Sequence, residues 1–251
     1  MAVQELSASG GLFWGKPAYV ARTPWGPWLA VLATLAIIGV GTVIGGVIGS
    51  PMGADWRPAG VQSLELLVLG VWQILVVVLT LLCSMLFGGR AGEVLALGRP
   101  RGAPGVYVTA LFLLAALNVA VSVVQYYFFP RDMFTDLRPF VGFMTGPDWL
   151  LALLVVGIGA PLSEELLFRG FLLSALAGTR FGFLGAAFIS TALWTSLHAS
   201  YTLLGIAEVF MIGLFFSWLL WRTGSLWVAI SCHALYNSLI VVVLRYVPLP
   251  A

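Results

Sequence analysis

Long apolar stretches separated by short polar connections run through almost the whole chain. A helix that crosses a bilayer core of about 30 Å needs about 20 apolar residues, because every backbone group in lipid has to be paired inside the helix. The pattern predicts a transmembrane helix in each of seven stretches. They are residues 28–49, 64–87, 106–129, 148–176, 183–198, 203–221 and 225–244.

This pattern predicts an all-α fold, a polytopic membrane helix bundle of about seven transmembrane helices (seven or eight). Composition agrees, because 61% of the residues are hydrophobic and only 9% are charged, which excludes a soluble globular protein. We therefore expect a multi-pass integral membrane protein, in the plasma (inner) membrane if the source is bacterial. The net charge of +2 comes from scattered basic residues, so the lipid bilayer is an expected partner and nucleic acid is not.

The Lys and Arg residues of the connections predict the orientation. With the amino terminus in the cytoplasm, seven of them fall on the cytoplasmic side and four on the other side. We predict a cytoplasmic segment at residues 1–26, accessory helices one to three with their loops at 27–147, and a catalytic core of helices four to seven at 148–245. The connection 88–104 is predicted to hold a short interfacial helix, and the loop 130–147 to form a solvated cap or gate.

Ionisable side chains inside the last four predicted helices are the candidates for chemistry. Such groups are costly in lipid and therefore tend to mark functional sites. The two histidines of the set are the only histidines of the sequence, and they lie on separate helices. The set is Glu164, Glu165, Arg169, His198, Glu208 and His233.

Helical spacing assigns different parts to the two adjacent glutamates. Glu165 and Arg169 are four residues apart, so they lie on one face and can form an ion pair. Glu164 is rotated by about 100° around the axis and points to another face. It is therefore left as the candidate general base. The same spacing of four places Trp194 beside His198.

A glutamate, two imidazoles and an amide donor suit the hydrolysis of a peptide bond, in either of two arrangements. In the first, His198 and His233, with or without a glutamate, bind a zinc ion that activates water. In the second there is no metal: Glu164 and His198 activate water, while His233 and Asn237 form an oxyanion hole. Spacing does not decide between the two, and the soluble H-E-x-x-H zinc motif is absent from the sequence.

Four short motifs in this order resemble those of the CPBP intramembrane proteases, the family of the CAAX prenyl endopeptidases and the bacterial bacteriocin-processing (Abi) proteins. The resemblance covers about 148–244. It rests on Glu164-Glu165-x-x-x-Arg169, on Trp194-x-x-x-His198 with Trp where the family has Phe, on Phe210-Met211-Ile212-Gly213, and on His233-x-x-x-Asn237.

The resemblance implies that Glu164 is the catalytic base, that His198 is its partner, and that His233 and Asn237 stabilise the transition state or bind metal. It also implies a helical bundle with a conical intramembrane active-site cavity. Within that site, the exchange of Phe for Trp at position 194 is expected only to reshape the pocket wall.

The remaining residues of the site are expected to support it. The resemblance gives Glu165 and Arg169 a structural or electrostatic part. We expect Glu208 either to face the cavity and tune the site or to pair with an arginine such as Arg169.

The leading hypothesis is an intramembrane endopeptidase that hydrolyses a peptide bond in a membrane-associated or prenylated peptide or protein. One alternative is a non-enzymatic membrane regulator or scaffold of the same family. Another is a small transporter in which the same residues relay protons. No pair of Gly/Pro-broken helices in matching halves supports the transporter.

Overall fold

The computed structural model describes residues 12–49, 61–102 and 104–250. Within these ranges the chain forms helices joined by turns and loops, and it contains no strand. The helices are α1 (Pro27–Gly49), α2 (Val61–Leu86), α3 (Ala91–Val94), α4 (Gly105–Phe128), α5 (Arg138–Thr145), α6 (Trp149–Ala177), α7 (Gly182–Ser196), α8 (Leu203–Thr223) and α9 (Leu226–Tyr246).

Each predicted span corresponds to an apolar helix, although the helices described at the first and fifth predicted spans are not among those that are long and apolar enough to cross a bilayer, and this confirms the polytopic helical bundle. Five helices are long and apolar enough to cross a bilayer, namely α2 from Ser63 onward, α4, α6, α8 and α9. In α2 and α4 only 22% of the apolar window is buried, against 44% in α6. Since the outer surface of a membrane bundle faces lipid, α6 is the central helix and α2 and α4 lie at the periphery.

The fifth predicted span, 183–198, is too long at its carboxyl end. The helix found there, α7, has 15 residues, which corresponds to about 22 Å and is shorter than a bilayer core. His198 therefore lies in the turn after α7 and not inside the helix.

The central helix α6 is wider than an α-helix over two segments. Leu153–Gly159 and Glu165–Leu172 follow the i→i+5 hydrogen-bonding pattern of a π-helix, and Glu164 lies between them. Pro161 is one cause, because proline has no N–H to donate to the preceding turn. Wide turns of this kind are rare and occur frequently at functional sites.

Side chains of neighbouring helices donate hydrogen bonds to backbone carbonyls in both wide segments. On α9, Asn237 Nδ2 donates to the Val156 carbonyl over 3.1 Å and Ser238 Oγ to the Gly157 carbonyl over 3.4 Å. These two carbonyls lie five and four residues before Pro161, which are the positions whose carbonyls its backbone N–H would otherwise bind. In the second wide segment, Ser190 Oγ of α7 donates to the Phe168 carbonyl over 2.6 Å. The widened α6 is therefore fixed to α7 and α9.

One end of the bundle is closed by the segment 12–26 that precedes α1. The guanidinium of Arg222, in the last turn of α8, donates to the backbone carbonyls of Leu12, Trp14 and Gly15. The connection that contains α3 reaches the same end, where the Leu226 N–H donates to the Ala96 carbonyl over 2.8 Å. The amino-terminal segment, the 88–104 connection and the turn between α8 and α9 thus share one side, as predicted.

The loop predicted as a cap covers the opposite end. Asp136 accepts hydrogen bonds from the backbone N–H and the hydroxyl of Thr202, both over 2.8 Å, and so binds the loop to the start of α8. The following helix α5 contacts the end of α9, because Arg245 donates to the Thr145 carbonyl over 3.0 Å. The turn that carries His198 therefore lies beneath this cap.

We expect Arg222→Ala to release the amino-terminal segment, because the substitution removes three hydrogen bonds donated by a charged group. Each such bond contributes about 1.5–3 kcal/mol to stability. Limited trypsin digestion of the protein in nanodiscs should then cut after Arg22 about tenfold faster or more. Arg180→Ala is the matched control. Its guanidinium lies 5.6 Å from the Phe181 ring and makes no described hydrogen bond to the amino-terminal segment. Equal cleavage rates in wild type and Arg222→Ala would contradict the expectation.

Candidate active site

A fully buried ion pair lies in the second wide segment of α6. Arg169 Nη1 is 3.2 Å from Glu165 Oε1, and both side chains are 0% exposed. The predicted pair along the helix is therefore present. Charges in a membrane interior are tolerated when they pair with one another, and removing one partner alone would leave the other charge uncompensated.

His233 of α9 binds the same carboxylate from the other side. Its Nδ1 lies 3.0 Å from Glu165 Oε1, so the ring donates its Nδ1–H to the glutamate. The Phe216 ring stacks on the imidazole at 4.7 Å between centroids and 25° between planes. We expected His233 opposite Glu164; it contacts Glu165 instead, because α9 packs on the face of α6 that carries Glu165.

The guanidinium of Arg169 occupies a place that only a glycine leaves open. Its carbon Cζ lies 4.3 Å from the centre of the Trp194 ring, which gives a cation–π contact. On α8, a Cβ atom at Gly213 would stand 2.7 Å from Arg169 Nη2 and 2.9 Å from Trp194 Cε3. The close approach of α8 to the ion pair therefore requires glycine at position 213.

Glu164 has a hydrogen-bond partner that the sequence analysis did not foresee. The indole Nε1–H of Trp194 donates to Glu164 Oε2 over 2.7 Å, and the tryptophan is only 3% exposed. The carboxylate itself is half-buried. The expectation that Trp194 only reshapes the pocket wall is wrong, because the indole has a donor that the phenylalanine of the family motif lacks.

His198 lies beside the same tryptophan. Its Nδ1 is 3.4 Å from the Trp194 carbonyl oxygen, which can only accept, so in the neutral ring Nδ1 carries the proton and Nε2 keeps its lone pair. The ring contacts the Trp194 ring at 5.2 Å between centroids, and His233 contacts the same indole at 5.7 Å. Trp194 thus brings the two histidines and Glu164 together.

Tyr201, which sequence reasoning did not single out, completes this side of the site. Its ring meets the His198 ring edge to face at 5.1 Å. Burial raises the pKa of its hydroxyl to about 12, and the charges of Asp136, Glu164 and Glu208 act in the same direction. The phenol therefore stays protonated at neutral pH and is an available hydrogen-bond donor. Its place three residues after His198, in a short turn, is the signal that could have identified it.

Asn237 and Glu208 make contacts that differ from the expected ones. Asn237 uses one amide hydrogen on the Val156 carbonyl and keeps the other. Glu208 of α8 accepts a hydrogen bond from Gln125 of α4 over 3.3 Å, and it does not pair with Arg169, whose partner is Glu165. Glu208 therefore connects two helices at the edge of the site.

The donor set does not fit the predicted zinc ion in the arrangement observed. A catalytic zinc site uses three protein ligands and an open position. Within the described part of the chain, no three His, Cys, Asp or Glu side chains are placed to share one metal ion. The described residues therefore do not form a catalytic zinc site in this arrangement.

Comparison with known proteins matches part of the chain to a family model and part of it to a curated relative. Residues 146–239 match the family model described as type II CAAX prenyl endopeptidase Rce1-like. A stretch of 91 residues is 40% identical to an uncharacterised 24.3 kDa protein of Escherichia coli, over 35% of this chain. The aligned part spans 41% of the length of that relative. No solved structure matches the chain.

We expect Gly213→Ala to disturb the ion pair, because the added methyl group overlaps Arg169 and Trp194. Overpacking of this kind costs about 1–3 kcal/mol. The unfolding midpoint in one detergent should fall clearly relative to wild type. Gly39→Ala on α1 is the matched control, since nothing lies within 4 Å of its Cβ position. Equal midpoints for both variants would contradict the assigned role of Gly213.

We also expect any peptide hydrolysis by this protein to survive the removal of metal, because the described residues do not present a three-ligand zinc site. Purified protein would be treated with a strong chelator, dialysed into metal-free buffer and analysed for zinc by mass spectrometry. Activity within about twofold of untreated enzyme is the expected result. Loss of activity that stoichiometric zinc restores would show that the ligands rearrange around a metal.

Proposed function

We propose that the protein is an intramembrane endopeptidase, because residues 146–239 match the Rce1-like family model of type II CAAX prenyl endopeptidases. The substrate is a membrane-associated or prenylated peptide or protein. The chain is an integral membrane protein with several spans, so its substrate reaches the site from the bilayer or from its surface. The observation that supports the proposal most directly is the half-buried Glu164 carboxylate, held by an indole beside the free Nε2 of His198.

Glu164 acts as the general base in this proposal. Its carboxylate takes a proton from water as the water oxygen attacks the carbonyl carbon of the scissile bond, and the carbonyl electron pair moves to oxygen. The proton then passes to the departing nitrogen. The C–N bond breaks, and a carboxylic acid and an amine are released. His198 assists through Nε2, which accepts a hydrogen bond from the same water.

Asn237 and Tyr201 supply the donors for the developing oxyanion. The second amide hydrogen of Asn237 and the protonated hydroxyl of Tyr201 are available, since neither has another assigned acceptor among the described contacts. Such donors stabilise negative charge strongly where water is excluded. His233 and Arg169 act indirectly. Both bind Glu165 and offset its negative charge, which lies next to Glu164 in the sequence.

The ionisable groups favour the enzyme over a scaffold. A protein that only binds partners has no use for two glutamates, an arginine and two histidines at the centre of the bundle, where their burial is costly. Here these groups converge on one place, and Glu164 and His198 remain partly accessible. This convergence is what a hydrolytic site needs.

We expect Glu164→Gln to abolish peptide cleavage while insertion and folding stay intact, because the amide keeps the shape of the side chain and cannot take up the proton. Wild type and variant would be reconstituted in liposomes. Each would be incubated with a farnesylated C-a-a-X peptide, its non-prenylated twin and a library of membrane-protein peptides, and the products read by mass spectrometry. Glu65→Gln is the matched control, a glutamate on the peripheral helix α2.

A loss of at least about 1,000-fold in rate for Glu164→Gln, with Glu65→Gln close to wild type, is the expected result. Cleavage by Glu164→Gln at the wild-type rate would contradict the assigned base. If wild type cleaves none of these peptides, the result would favour the alternative of a non-enzymatic regulator or scaffold.

A further inference from the structure

We propose that Trp194 is a positioning residue that fixes the Glu164 carboxylate for attack, with its indole N–H as the essential atom. The inference rests on the proposed function, because it gives Trp194 a part in the action of the same base. It also reverses the expectation that tryptophan at this position is equivalent to the phenylalanine of the family motif.

The geometry of the contact is that of a strong hydrogen bond. The Nε1 to Oε2 distance is 2.7 Å, and one partner is a carboxylate. Charge-assisted bonds of this length are roughly twice as strong as neutral ones. The tryptophan is 3% exposed, so water does not compete for the donor.

The neighbours of Trp194 make it a rigid and strengthened donor. The Arg169 guanidinium lies 4.3 Å above the ring, and a cation on the π face draws electron density from the indole and makes its N–H more positive. His198 and His233 contact the same ring. With its face and edges covered in this way, the indole presents its N–H in one fixed direction.

Fixing one carboxylate oxygen directs the other. A glutamate side chain has three rotatable bonds. A half-buried glutamate such as Glu164 is a less efficient base if its carboxylate samples several orientations. The bond to Oε2 leaves Oε1 as the oxygen that accepts the water proton. The buried Glu165–Arg169 pair is thereby coupled to the base through the indole ring, although Glu165 itself never touches the substrate.

The hydrogen bond can be measured without any substrate. In the full-length protein labelled with ¹⁵N-tryptophan, Trp194→Phe identifies the indole signal of Trp194 by its disappearance. We expect this N–H proton to resonate downfield of the other indoles, and Glu164→Gln to move it upfield while the other indole signals stay in place. An unchanged signal in Glu164→Gln would overturn the proposal.

Kinetics then test positioning against simple support of the fold. We expect Trp194→Phe to lower kcat about 10- to 100-fold with KM within about twofold, because the substrate contacts remain and only the base is misplaced. Replacement of Trp194 by 3-benzothienylalanine, which keeps the ring shape and lacks the N–H, should give the same loss. Trp227→Phe is the matched control, because it removes an indole bond to the Leu97 carbonyl at the end of the bundle.

The outcomes separate this inference from the proposed function. If Glu164→Gln is inactive but the benzothienyl variant turns over as wild type, the positioning role is overturned and the base assignment stands. If Glu164→Gln is fully active, the proposed function fails and the role of Trp194 fails with it. A selective fall in kcat, together with the shifted indole signal, supports both.

Discussion

The ion pair between Glu165 and Arg169 constrains the whole centre of this bundle, because two charges held away from water must be satisfied by protein alone. Removing either partner alone would cost about 3–5 kcal/mol. The surrounding helices meet part of this demand with different groups, while Glu165 Oε2, Arg169 Nε and Arg169 Nη2 have no hydrogen-bond partner among the described residues. The tryptophan of α7 covers the guanidinium, α8 approaches through Gly213, and α9 contributes the His233 N–H. The elements that solvate the ion pair are therefore the same ones that build the candidate active site.

The second organising device is backbone geometry. Pro161 withholds an N–H from α6, and Asn237 and Ser238 of α9 donate to the carbonyls before it. In the second wide segment Ser190 of α7 adds a second donor to the Phe168 carbonyl, which already accepts the Leu173 N–H. The first of these bonds gives Asn237 a structural part that exists before any substrate arrives. Helix contacts and site construction thus depend on the same hydrogen bonds, which explains how a short α7 is held at the depth where Trp194 reaches Glu164.

Much of the fold could be predicted from hydrophobic length alone, since each predicted span has its helix and the Glu165–Arg169 pair follows from a spacing of four. The end of α7 could not, because His198 belongs to an apolar run that continues past the last helical turn. Nor could the partner of His233, since α6 departs from 3.6 residues per turn and rotates its faces. The motif identifies Trp194 only as an aromatic residue of the pocket wall. The role of its N–H follows from the position of Glu164 beside it, which the sequence does not show. Phe216 and Tyr201 gain their roles from contacts between helices distant in sequence.

The wide turns of α6 also matter for how related sequences are compared. A turn with i→i+5 hydrogen bonds holds one residue that an ordinary α-helix of the same rise lacks, so a homologue with a regular helix at Leu153–Gly159 would be one residue shorter there. An alignment that forbids a gap in this stretch would shift the diglutamate by one position, about 100° around the axis, and would equate Glu164 with the wrong carboxylate. A single insertion or deletion in this part of the helix is therefore enough to exchange the proposed base with the glutamate of the ion pair in an alignment.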